Sequence, residues 1–117
     1  HATAVTWLRE MLSTPAQEFP EFPAAVSLLP LLTTEDAIRQ MEIREGKLAA
    51  QVAAINKEME SMEGNLPRLF LLESEYMRIV LGAELSWVRS IIYDLRSGEL
   101  TWHQEWMHPL APPKTEE

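Results

Sequence analysis

Cysteine is absent from this 117-residue chain, which excludes a disulfide framework and any thiolate metal site and agrees with a reducing compartment. Glycine is scarce. The four glycines are scattered, so no phosphate-cradling loop exists, and no Gly-x-Ser-x-Gly turn presents Ser13, Ser27, Ser61, Ser74, Ser86, Ser90 or Ser97 as a nucleophile. No apolar run approaches the roughly 20 residues needed to span a bilayer, and no cationic-then-apolar signal opens the chain. Cations are also few: 10 against 18 carboxylates, for a formal net charge of −8. A phosphate-binding surface needs clustered cations that can release counterions, and here they are dispersed. The chain by itself is expected to bind nucleic acid poorly.

What is present describes a folded domain. Hydrophobic residues make up 46% and charged residues 24%, a balance outside the disordered range, and the length allows one core rather than two. Four Trp and six Met supply large buried area and adaptable filling, used most simply in a core but also suited to an oligomer interface or an apolar cavity. The opening His1-Ala2-Thr3 has no initiating Met and reads as a tag remnant or a cut within a longer protein.

The dominant pattern lies in Thr34–Met62. Ile38, Met41, Leu48, Val52, Ile55, Met59 and Met62 recur at 3-4 spacing, with Glu45 as the polar interruption. A period near 3.5 belongs to helices that pack lengthwise against other helices. Thr33-Thr34-Glu35-Asp36 predicts the start, with a threonine hydroxyl capping the first amides and two carboxylates at the positive end of the helix dipole. Gly46 falls off the seam and marks a close approach, a bend or a tolerated defect, at about 1 kcal/mol relative to Ala. Glu63-Gly64-Asn65-Leu66-Pro67 predicts a stop and restart, and so short a connection forces antiparallel neighbours. The second long helix is expected over Pro67–Ser97, ended by Gly98. Its stripe of Leu69, Leu72, Tyr76, Val80, Ala83 and Trp87 is widened by Phe70, Met77, Leu81, Leu85, Val88, Ile92 and Leu95. A helix apolar over most of its circumference must be covered on several sides. The hairpin partner and two short helices are too little for that, so a second copy is expected to cover it.

Before the hairpin, Ala4–Leu12 predicts a short amphipathic helix with Val5, Leu8 and Leu12 on one face, Trp7 beside them, and an end at Ser13-Thr14-Pro15. Gln17–Pro23 reads as a connector pinned by Phe19 and Phe22, and Ala24–Leu32 as a short apolar helix disturbed at Pro30. After the hairpin, Trp102 and Trp106 are expected to dock on the bundle and residues 111–117 to be disordered.

Few residues suggest chemistry. His103 and His108 around Glu105 have the wrong spacing for one helix face, so no metal is expected. Glu73 and Glu84, three helical turns apart, lack the Glu-x-x-His pairs of a diiron site, and an ion pair with Arg44 or Lys47 on the neighbouring helix, or with a basic residue across a dimer, is the expected use. Arg39, Arg44, Lys47 and Lys57 do not reproduce the convergent cations of helical chorismate mutases. No catalytic residue and no cofactor is assigned, and an enzyme is not expected.

Certain residue runs, in order, are similar to the C-terminal domain of PadR-family transcriptional regulators, of the type related to virulence-activator C-terminal domains. They are Trp7-Leu8-Arg9, Phe22-Pro23-Ala24-Ala25, Leu31-Leu32 and Ile43-Arg44-Glu45 with Leu48. They continue through Leu72-Glu73-Ser74-Glu75-Tyr76 and Ala83-Glu84-Leu85-Ser86-Trp87 to Asp94-Leu95-Arg96-Ser97-Gly98. The resemblance implies a bacterial cytoplasmic regulator that dimerises through its C-terminal helices and contacts DNA through a winged helix, which this chain does not contain. It also implies a small aromatic effector in apolar space, with Trp87 and Tyr76 as the residues expected to line it.

The expected fold is therefore all-α: two short helices and a long antiparallel hairpin within residues 1–110, dimerising as a helical bundle. The hairpin seam is Ile38, Met41, Leu48, Val52, Ile55, Met59 and Met62. The dimer interface is Leu69, Leu72, Tyr76, Val80, Ala83, Trp87 and Ile91. The expected partners are a second copy and an aromatic effector, with DNA reached only through the missing domain and no membrane contact. The competing reading is a stand-alone helical adaptor that receives another protein's helix on the same stripe.

Overall fold

The computed structural model describes residues 2–15 and 21–103. Phe19, Glu105, Trp106, His108 and residues 111–117, on which several of the expectations above fall, lie outside them. The described residues form four α-helices and two 3-10 turns, with no strand among them.

Helix α1 (Ala2–Ser13) ends where Thr14 donates its N–H back to the Glu10 carbonyl, ahead of Pro15. The next segment departs from expectation. Instead of a connector to Pro23 and a helix over Ala24–Leu32, α2 occupies Glu21–Val26 and a separate 3-10 turn occupies Leu29–Leu31. Both prolines explain the shift. Pro23 sits in the first turn of α2, where its missing N–H has no intrahelical role, whereas Pro30 would clash with the carbonyl four residues back, at Val26, where α2 stops.

Helix α3 spans Thr34–Met62, and the Thr33 hydroxyl accepts the Asp36 N–H at 3.1 Å. A Cβ built on Gly46 meets nothing within 4 Å, and α3 runs through it unbroken, so this glycine is a tolerated defect rather than a close approach. Gly64 takes the left-handed conformation at φ 83°, and the Asn65 and Leu66 amides return to the Met62 carbonyl. The restart differs from the continuous helix expected over Pro67–Ser97. Arg68–Leu71 is a 3-10 turn, and α4 covers Leu72–Ser97. No side chain caps the first amides of α4, and the tighter bond from the Phe70 N–H to the Pro67 carbonyl closes that turn instead. The Arg68 guanidinium reaches both carboxylate oxygens of Glu75 across the junction. Gly98, at φ 87°, caps the end of α4.

Helices α3 and α4 run in opposite directions along each other: Glu42 pairs with Arg96, and Glu45 with Arg89. Between them lies a core of Met41, Leu48, Leu85, Val88 and Ile92, continued by Ala37, Leu95 and Trp102. The other seam residues, Ile38, Val52, Ile55, Met59 and Met62, are half-buried. The Trp102 indole N–H donates to the Leu32 carbonyl at 2.9 Å, tying the residues after α4 to the entry of α3. The chain is elongated, with a radius of gyration of 20.5 Å against about 13 Å for a compact domain of similar length.

Two outcomes are expected from this fold. Gly46→Ala should raise stability by roughly 0.5–1 kcal/mol, because the methyl enters open space and the helix gains propensity; urea unfolding measures it. The Arg68 hydrogen bond holds the Glu75 carboxyl below its ordinary value. Its contribution is therefore present at neutral pH and fades as pH falls through the lowered value. Arg68→Ala should move the Glu75 titration upward in a carboxyl NMR experiment.

Candidate functional site

The two sides of α4 differ. Leu85, Val88, Ile92 and Leu95 point toward α3 and are buried, with Val88 fully enclosed. The opposite side carries Leu72, Tyr76, Ile79, Val80, Ala83 and Trp87 at helical spacing, with no charged residue among them. All six are exposed in the single chain, with Tyr76 at 65% and Ile79 at 62%. Leu69 and Phe70 in the 3-10 turn extend the surface, Leu69 at 69% exposure. A contiguous apolar face of this length is the usual mark of an interaction site.

Of the residues assigned above to a dimer interface, Leu69, Leu72, Tyr76, Val80, Ala83 and Trp87 lie exposed on this surface. Ile91 is placed differently. It is half-buried and packs on the chain's own core, because its position turns it toward the flank covered by the α2 segment. Ile79 was missed, although its spacing of three from Tyr76 and four from Ala83 is the signal that would have found it.

At the lower end of the face, a polar-aromatic node fixes Trp87. The Phe22 ring meets the Trp87 ring edge-on, with centroids 6.0 Å apart at 84°, the geometry favoured by opposed ring quadrupoles. The Arg44 guanidinium lies 3.5 Å above the Phe22 ring centroid and pairs with Glu84. This is one of the two cation partners expected for that carboxylate. Phe22 thus bridges α2 to both long helices, the pinning contact expected of it in the sequence.

Shallow apolar clefts flank the α2 segment. One, of about 290 Å³, lies against α3 between Phe22, Leu29, Leu32 and Met41, with Gln40 and Arg44 among its polar residues. The other, of about 330 Å³, lies against α4 between Leu29, Pro30, Trp87, Ile91 and Trp102. Tyr76 is not part of either. It lines a separate, open cavity of about 750 Å³ with the end of α1, so the structure does not bring the two expected effector contacts, Trp87 and Tyr76, into one pocket. Eleven residues of helix, about 16 Å, separate them.

Arg39 is paired with Asp36, one turn away on the same helix. Among the described residues no group of three His, Asp or Glu side chains is placed to hold a metal ion, and no helix is long and apolar enough to cross a membrane. No protein-family model matches the chain, and neither curated proteins nor solved structures contain a match to it.

The Phe22–Trp87 contact has a measurable consequence. A double-mutant cycle with Phe22→Leu and Trp87→Leu should give a coupling energy of about 0.5–1.5 kcal/mol in chemical unfolding.

Proposed function

We propose that this chain is a helical dimerisation domain of a PadR-like bacterial transcriptional regulator. Its DNA contacts are made by winged-helix domains outside this chain, and it works in the cytoplasm. The observation that carries the association is the uncharged, exposed face of α4, opposite the face sealed on α3. A second copy covers it, because the same surface is presented by both copies and self-complementary contacts close with two-fold symmetry. The assignment to this kind of regulator rests on the order of residue runs from Trp7 to Gly98.

In this reading the domain acts by geometry. The angle between the two copies sets the separation of two winged helices and hence their fit to successive half-sites on DNA. A small aromatic effector in the cleft beside Trp87 shifts operator affinity only by its differential affinity for the two arrangements.

Light scattering on the purified chain tests the association. The wild type should run as a dimer that persists on dilution. Val80→Asp and Ala83→Asp should each give a monomer with unchanged helical circular dichroism, since neither residue is buried in the single chain. A wild-type monomer at all concentrations overturns the dimer and favours an adaptor that receives a different protein's helix. Attached to its winged helix, the regulator should lose operator affinity with either substitution; unchanged binding overturns the regulatory part.

A further inference from the structure

A cavity of about 750 Å³ lies between the end of α1 and Tyr76 of α4, away from both clefts beside α2. Small-molecule sites fall in the range of roughly 300–1,000 Å³. The α1 wall follows from helical spacing. Trp7, Glu10, Met11 and Thr14 succeed one another at steps of three, one and three, which places them on one side of the helix. Trp7 is 63% exposed and Tyr76 65%, so both rings are left largely uncovered by the described residues.

The chemistry of the lining is one-sided. Glu10 is its single charged residue, and among the described residues no ion pair reaches that carboxylate. The end of α1 adds to the same sign. A helix C-terminus carries about half a negative charge on its last carbonyls, and α1 has no basic residue in its last turn to offset it. Trp7 and Tyr76 bring aromatic faces, whose quadrupoles are negative above the ring, and Met11 a polarisable thioether. The Ser13 hydroxyl donates to the Arg9 carbonyl at 2.8 Å, and the Thr14 N–H to the Glu10 carbonyl, so neither of those donors is turned to a ligand. An anion here would meet a carboxylate, the negative end of a helix and no cation.

We propose that this cavity binds a small lipophilic cation of the quaternary ammonium type, its charge near Glu10 and its apolar groups between Trp7 and Tyr76. A quaternary centre suits the lining better than a primary amine. Its alkyl groups meet Met11, Leu12 and Pro15, and its diffuse charge is attracted by ring faces without needing hydrogen-bond acceptors. A lysine-like ammonium is strongly hydrated and needs several acceptors, where this lining offers one carboxylate. Every wall residue belongs to one chain, so the site stands apart from the dimer reading and from the cleft beside Trp87.

The test sets para-hydroxyphenyl-trimethylammonium against para-tert-butylphenol, which has nearly the same shape without the charge. Each is titrated into the full chain and followed through the tryptophan indole N–H signals by NMR. The cation should move the Trp7 signal in a saturable way and bind about fivefold tighter than the phenol. Glu10→Gln should abolish that difference while the weaker binding of the phenol remains. Trp7→Leu, followed through the Met11 and Leu12 amides, should weaken both probes. Both side chains are exposed, so helical circular dichroism should stay unchanged in each variant. Equal binding of the two probes, or cation binding undiminished in Glu10→Gln, overturns the proposal. So does a cation that moves Trp87 or Trp102 and leaves Trp7 still. Light scattering reads the dimer separately, so the site can fall while the dimer stands.

Discussion

The structure depends on one asymmetry in α4. The helix is apolar on two opposed sides, and a single neighbouring helix can seal only one of them. Burial against α3 removes Val88, Ile92, Leu85 and Leu95 from water, each worth roughly 1.5–3 kcal/mol. That leaves Leu72, Tyr76, Ile79, Val80 and Trp87 on the far side in contact with solvent. The fold satisfies its own core and, by doing so, leaves an apolar surface exposed along α4.

Electrostatics sets register more than stability. Arg44–Glu84 lies on one flank of the α3–α4 seam, and Glu45–Arg89 and Glu42–Arg96 on the other. These pairs are partly exposed, and such bridges are worth about 0–1 kcal/mol each. Their placement still penalises a slip, because moving α4 by one residue would carry arginines away from carboxylates on both flanks at once. Glu45, which interrupts the apolar seam of α3, is explained by this arrangement: it leans to the flank and meets Arg89. Arg44 has a further role, since its stacking on Phe22 couples the α2 segment to the pair.

The long helices were legible because their signals are local. A threonine cap, two first-turn carboxylates and seven apolar residues at 3-4 spacing located α3 at Thr34–Met62, and Gly64 and Gly98 marked the turns that require positive φ. The short segments were read less well. Pro23 and Pro30 look alike as letters, but one falls in a first turn and the other faces a carbonyl four residues earlier, so α2 ended at Val26 rather than continuing. The start of α4 was also less regular than its apolar spacing implied, because spacing says nothing about whether a cap is available.

The amino-acid sequence by itself determined the helical class and the two long elements, since periodicity and capping act over a few neighbouring residues. Only the tertiary structure decided which side of α4 is spent on the core. It also settled that Ile91 packs on the core while Ile79 is exposed, and that the Phe22 ring meets Trp87 edge-on. Those outcomes depend on how distant segments share a limited surface, and no local pattern encodes that allocation.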